Sequence, residues 1–385
     1  MSAVDVDTNE ELVDTIRRWI EREVTPRASE LEHADEYPAE WVAQMKEFGL
    51  FGAKIPVKYG GYGLDTLTYA RLIEEIAYGW MTLSGVVNTH TIVANLIVNH
   101  GTEDQKAAWL PKMASGEPRA AFSLSEPDSG SDTRSLRCRA DRDGDSYIIN
   151  GTKTWVTNGE RAGLVALAAR TADGITCFLV EKEPGPRSGG ITVSRQIGKL
   201  GYKGIETVEM AYQDHRVSAD AVLGGEVGLG SGLNYILSSL ELGRINVASR
   251  AVGVARAALD AAFSYAEQRE TFGVPIIKHQ AIAFKLADMA TKVEASRLLV
   301  KSAAEKYDSG ERADVEAGMA KLFASEAALE VATEAMRIHG GYGYTTDFPV
   351  ERYFRDAPLM IIGEGTNEIQ KIVISRGLQA RRTAR

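Results

Sequence analysis

Ile245, Ala248, Val252, Ala255, Leu259, Ala262 and Ala266 follow one another at spacings of three and four without a break. No other stretch constrains the fold as much. The spacing predicts one long helix with a continuous apolar stripe. The alanines in that stripe let a second helix pack close, as a bundle core requires. The helix is predicted to end near "RETFG", with Arg269 in its last turn and Gly273 as its stop. "IAFKLADMATKVEASRLLVKSAAEKY" and "DVEAGMAKLFASEAALEVATEAMRIH" predict two further helices.

Upstream of this region the period changes twice. The first ~120 residues are helical by the same test, in "EELVDTIRRWIEREV", "YARLIEEIAYG" and "EDQKAAWLPKMA". From Ala121 to Gly230 the chain breaks into short runs, "SYIING", "LVALAAR", "ITCFLVEK", "ITVSRQI" and "VEMAYQDHRV", bounded by Gly, Asn or Asp. These read as strands of a sandwich or barrel. "GGEVGLGSG" leads back into helix. The chain is therefore expected to be an α+β multidomain protein. Its parts are an N-terminal helical domain (1–120), a middle β-sandwich or barrel (121–230) and a C-terminal helical bundle (231–385).

The net charge of −9 argues against nucleic-acid and anionic-membrane partners, which would want clustered Lys and Arg. The basic end "RGLQARRTAR" reads as a solvated tail. Two cysteines, Cys138 and Cys177, fit a reducing compartment. The acidic start "MSAVDVDTNEELVDTI" lacks the layout of a signal peptide, so a cytoplasmic protein is expected. No window approaches ~18 consecutive apolar residues, so no bilayer-spanning helix is expected. The six histidines have no ligand spacing, and no protein-bound metal is expected. Fingerprints for a dinucleotide-binding Rossmann unit, a P-loop or a serine-nucleophile elbow are absent from the sequence.

Three stretches carry candidate chemistry. "AFSLSEPDSGSD" (Ala121 to Asp132) is dense in small donors that suit a phosphate or a heteroaromatic edge, although a hydrated turn is the plainer reading. "INGTKTWVTNG" puts Trp155 and Thr157 on one face of a strand, either as the wall of a planar ligand site or as a half-buried core Trp. "PLMIIGEGTNEIQ" sets Glu364 between Gly363 and Gly365 at the edge of an apolar run. A carboxylate beside apolar surface has a raised pKa and becomes a better base near neutrality. The alternative is that Glu364 caps the helix that follows.

With "KIPVKYGGYGLD", "RETFGVPIIKHQ" and "IHGGYGYTTDFPVERYFRDA", these stretches resemble signatures of the acyl-CoA dehydrogenase family, in its order and at its spacings. The resemblance extends over nearly the whole chain. It implies that family's fold, with a C-terminal four-helix bundle, and FAD as cofactor. It further implies conversion of an acyl-CoA to its trans-2-enoyl-CoA, as in fatty-acid β-oxidation, with an electron-transferring flavoprotein as acceptor. The family shares its cofactor between subunits, which implies a homotetramer built as a dimer of dimers.

Carried over residue by residue, the resemblance puts the α-proton base at Glu364. An alternative base position used in some branches of the family holds Gly243 here. Glu241, with Arg244 beside it, matches the acid that contacts the CoA moiety, and Ser131, Gly363 and Gly365 fall on the substrate side. Phe122, Leu124, Ser125, Gly130 and Ser131 would meet the flavin edge and phosphate region, with Trp155, Val156 and Thr157 along the ring. Arg269, Phe272, Gln280, Arg337, Gly340 and Gly341 would reach the FAD of a neighbouring subunit, while Thr366 and Glu368 would lie by the FAD phosphates and ribose.

Two positions depart from the family pattern. Gly363 stands where Tyr is common, which should widen the acyl cavity for a branched or cyclic group. Arg337 stands where a glutamine usually precedes the paired glycines. Rival expectations are an oxidase or other flavin chemistry on the same fold, and a catalytically silent CoA-binding protein.

Overall fold

The computed structural model describes residues 6–383. The N-terminal part is helical: α1 (Val6–Trp19) runs on through a π-helical turn (Ile20–Val24) and is followed by α2 (Ala28–Ala34), α3 (Ala39–Glu47), α4 (Thr66–His100) and α5 (Glu103–Ala114). Local chemistry starts the last two. Asp65 accepts from the Thr68 N–H at 2.7 Å, and Thr102 and Gln105 form a reciprocal capping box. The longest helix of this part is α4. By length and composition it could cross a bilayer, but 94% of its apolar window is buried inside the fold. It is a core helix, bent at Trp80, whose φ of −157° and ψ of 115° are not helical.

The middle part holds β1 (Ala120–Ser123), β2 (Arg139–Asp143), β3 (Ser146–Thr157), β4 (Leu164–Thr171), β5 (Gly174–Glu181), β6 (Arg187–Ser188), β7 (Ile191–Val193) and β8 (Thr207–Ser218). They form one sheet in the order β1-β4-β2-β3-β8-β7-β6, with β5 on the free side of β4. The sheet curls around an inner core. In β4 the period-two alternation sends Val165, Leu167 and Ala169 into that core, while Leu164, Ala166 and Ala168 pack outward against α4. β1 and β2, too short to show a periodic pattern, went unread in the sequence.

The C-terminal part consists of α6 (Gly232–Gln268), a hairpin of β9 (Glu270–Thr271) and β10 (Val274–Pro275), α7 (Gln280–Asp308), α8 (Asp314–His339), α9 (Val350–Ile362) and α10 (Asn367–Thr383). The alanine stripe does what its spacing predicts, since Ala248, Ala255, Ala262 and Ala266 are buried. Close approach to α4 is tightest at Gly253, where a Cβ would meet Glu74 O at 2.4 Å. Two sequence readings need correction. The helix stops at Gln268, leaving Arg269 extended just past its end, and Gly273 (φ +81°) turns the hairpin instead of ending the helix. The basic end is solvent-exposed as expected, but it is helical and not a tail: through Thr383 it forms the last two turns of α10, joined to α8 by a two-pronged Arg381–Glu316 pair at 2.7 and 2.8 Å.

Candidate active site

Glu364 sits in the turn between α9 and α10 with φ +55°, a left-handed conformation that costs an ordinary residue about 1–2 kcal/mol. Gly365 follows at φ +89°, which by itself calls for glycine. Lys321, reaching across from α8, holds this bend. Its ammonium donates to Ile361 O (2.9 Å), Gly365 O (3.0 Å) and Asn367 Oδ1 (2.8 Å), so all three donors clamp the two sides of the acid. Burial lowers the Lys321 pKa to about 8. The helix-capping role considered for Glu364 belongs to Thr366, whose Oγ1 accepts from the Ile369 N–H at 3.4 Å.

The carboxylate is thereby turned into the fold, with a side chain 19% exposed. Oε1 accepts from Asn88 Nδ2 at 2.5 Å and lies 3.8 Å from Arg250 Nη2. Oε2 is buried and has no hydrogen-bond partner among the described residues. It occupies the space left by a missing side chain on α6, since a Cβ on Gly243 would lie 2.2 Å from it. Desolvation raises the Glu364 pKa, against the opposing pull of Arg250, the Asn88 amide, Lys321 and Arg244. An acid with one unsatisfied oxygen and a raised pKa is a base ready for a proton.

Nearby, Glu241 accepts from the Ala313 N–H at 3.1 Å, and burial raises its pKa. Arg244 is buried with its Nε unpartnered, a donor left over for a ligand. A Cβ on Gly363 would find only Leu359 within 4 Å, its O at 3.2 Å and its Cδ1 at 3.8 Å, so the space beside the base is otherwise open.

The middle part carries a second group of predicted residues. Trp155 is 62% exposed with φ +60°, so it is no core residue. The register of β3 against β8 shifts between Lys153 and Val156, and this bulge swings the indole outward while Val156 stays buried and Thr157 half-buried. Beside it the Thr154 N–H donates to Ser125 O at 2.9 Å, which docks the loop after β1 against this strand. Glu126 sets the loop's shape by accepting from the backbone N–H groups of Arg137 (2.6 Å) and Cys138 (2.9 Å) and from Lys153 (2.8 Å). Phe122 and Leu124 pack beneath the loop, while Gly130 and Ser131 are exposed at its tip. An exposed indole beside free hydroxyls suits a flat heteroaromatic group with a hydrogen-bonding edge, so these residues fit FAD. The strand is tied to the base through α4: Asn158 Nδ2 donates to Val86 O at 3.2 Å, and Asn88 lies two residues further on.

The remaining predicted residues lie elsewhere. Arg269, Phe272 and Gln280 surround the β9–β10 hairpin, and Phe272 is 98% exposed at φ +53°. Arg337, Gly340 and Gly341 are exposed close by, because Tyr265 near the end of α6 stacks on His339 at 4.3 Å. From Gly243 to Gln268 the helix advances about 38 Å at ~1.5 Å per residue, so these six residues are far from Glu364 in the same chain. Thr366 and exposed Glu368 stay beside the base at the start of α10. Lys321, Asn88 and Arg250 were missed in the sequence, where nothing separates them from ordinary polar positions on helices.

Family models support the same assignment. The descriptions "Acyl-CoA dehydrogenase, N-terminal domain", "middle domain" and "C-terminal domain" match residues 6–117, 121–215 and 230–379. An acyl-CoA dehydrogenase of Bacillus subtilis is 42% identical over 369 residues, covering 94% of this chain and 96% of that protein. Butyryl-CoA dehydrogenase from Megasphaera elsdenii superposes with a TM-score of 0.91 at 37% identity, covering 98% of this chain and 100% of that one. A glutaryl-CoA dehydrogenase solved with glutaryl-CoA gives 0.91 at 34% identity, covering 99% and 97%. The chain belongs to the acyl-CoA dehydrogenase family, FAD-dependent oxidoreductases that act on CH–CH groups of acyl-CoA thioesters.

Proposed function

We propose that Glu364 removes the α-proton of an acyl-CoA while the β-hydrogen departs as hydride, leaving a trans-2-enoyl-CoA. FAD, when bound, supplies the hydride acceptor at its N5. The observation that carries this reading is Glu364 Oε2, buried, unpartnered and backed by the absent side chain of Gly243. A thioester α-proton is very weakly acidic, so the base needs low hydration and a fixed position. Burial supplies the first, and the Lys321 clamp on the turn supplies the second. As the proton moves, Asn88 keeps the other oxygen oriented. Glu241 and Arg244 face the CoA portion, and the open space at Gly363 accommodates bulk next to the reacting carbons.

Leu124, Ser125 and Ser131 serve the flavin edge and phosphates, and Trp155 and Thr157 flank its ring. Arg269, Phe272, Gln280, Arg337, Gly340 and Gly341 serve the cofactor of a neighbouring copy, because one dinucleotide cannot span the ~38 Å of helix between them and the base. That arrangement makes the protein at least a dimer, and in our reading a homotetramer. An electron-transferring flavoprotein takes the electrons onward, and the two buried free cysteines fit the cytoplasm.

The test is anaerobic mixing of the yellow protein with straight, branched, aromatic and cyclic acyl-CoAs. At least one should bleach the flavin rapidly, with slow reoxidation in air. A flavin that no thioester bleaches would refute the reading, and rapid reoxidation by air would mark an oxidase.

A further inference from the structure

Arg250 is 5% exposed, on the stretch of α6 that packs against α4. Its Nε donates to Asn246 Oδ1 one turn back at 2.6 Å, and Asn246 in turn donates to the Tyr69 hydroxyl at 2.8 Å, so the guanidinium is held in one orientation. Its terminal nitrogens face the Tyr202 hydroxyl. Glu364 Oε1, at 3.8 Å from Nη2, is their one carboxylate neighbour. A buried guanidinium is costly unless paired, and this one faces the acid assigned to take up a proton. Once Glu364 is neutral, Arg250 is left without a counter-charge. Lys321 and Arg244 bear on the same carboxylate, but Arg244 is shared with Glu241 and Asp314, and Lys321 with Glu326 and Glu368.

Resting on the acyl-CoA reading above, we propose that Arg250 is a specificity-determining residue for a short acyl group ending in a carboxylate. The terminal carboxylate of such a thioester would meet the terminal nitrogens as a forked pair in place of the Tyr202 hydroxyl and give Arg250 a counter-charge after proton transfer. The acyl chain must be short, because the guanidinium lies within 4 Å of the carboxylate of the base. A methyl-ended chain in the same place would put apolar surface against an unpaired cation.

The experiment compares pairs of thioesters that differ only by carboxylate for methyl: succinyl-CoA with butyryl-CoA, and glutaryl-CoA with pentanoyl-CoA. For each the bleaching rate and the Kd for the holoenzyme are measured, in wild type and in Arg250→Gln and Arg250→Lys. Wild type should favour at least one carboxylated partner by ~10-fold or more in rate over Kd, the effect of pairing a buried charge. Arg250→Gln should lose that preference while keeping its flavin spectrum, and Arg250→Lys should keep part of it. A wild-type preference for both methyl-ended thioesters, or an unchanged preference in Arg250→Gln, overturns the proposal. Should Arg250→Gln fail to fold, the wild-type ratio and Arg250→Lys decide. If no thioester bleaches the flavin, the acyl-CoA reading falls as well, and the two failures are thereby told apart.

Discussion

The two ends of α6 differ in how completely one chain finishes them. Around Gly243 the corner is closed. Glu364 is held by Asn88, its turn is clamped by Lys321, and the carboxylate fills the space a Cβ would occupy. Around Arg269 the chain ends in exposed, strained features: Phe272 in a left-handed turn with its ring in solvent, and Arg337, Gly340 and Gly341 beside it. A bulky residue at positive φ costs ~1–3 kcal/mol and persists where a function needs it. The difference fits the proposal above, in which the groups doing chemistry are fixed within one chain and those gripping the far end of the cofactor serve another copy.

Substitutions should separate the two ends. The largest effect is expected for Glu364→Gln, which keeps FAD and loses ~10²–10⁴ in bleaching rate, the usual range for a positioned base. Gly243→Ala comes next. Its methyl collides with Glu364 Oε2, and displacing a base by about 1 Å costs ~10²-fold in kcat. Unchanged kcat in that variant would mean the carboxylate has another resting place. Lys321→Met leaves two carbonyls and an amide oxygen without their donor, and thermal unfolding should report a loss of ~1–3 kcal/mol along with a lower kcat.

At the other end, Phe272→Ala should raise the apparent Kd for FAD about 10-fold, or ~1.4 kcal/mol, and shift the sedimenting mass downward. It should leave the unfolding of the single chain within ~0.5 kcal/mol of wild type. Unaltered FAD affinity and mass would break the comparison.

A pH titration sharpens the closed end. Glu364 has its pKa raised, mainly by burial, so kcat/KM for an acyl-CoA that bleaches the flavin should rise with pH through that elevated value as the carboxylate forms. Arg250→Gln removes a cation that favours the charged form and should move the midpoint to higher pH. A midpoint moving lower would contradict the assigned electrostatics.

The helical and strand periods of the sequence, and its six family-like stretches, pointed to the architecture and to Glu364. Several features were not legible there. The half-buried core reading of Trp155 competed with a ligand wall because a bulge leaves no trace in an alternating pattern, and only the register shift against β8 exposes the ring. Arg250 lies off the alanine stripe of α6, where polar residues are ordinary on any helix, but α6 is covered by α4 as well as α8, which buries this side too. Lys321 and Asn88 act on a turn hundreds or tens of positions away along the chain, and no local spacing encodes that. The membrane-like composition of α4 shows the converse, since a helix buried on nearly every face and one facing lipid share a pattern.

The decisive observation would come from hydrogen exchange at the thioester, isolated from oxidation. With the flavin reduced beforehand, hydride has nowhere to go, and the protein incubated in D₂O with an acyl-CoA that bleaches its oxidised flavin can only trade the α-hydrogens. Wild type should exchange them, and Glu364→Gln, still loaded with flavin, should not. Equal exchange by both would show that some other group lifts that proton.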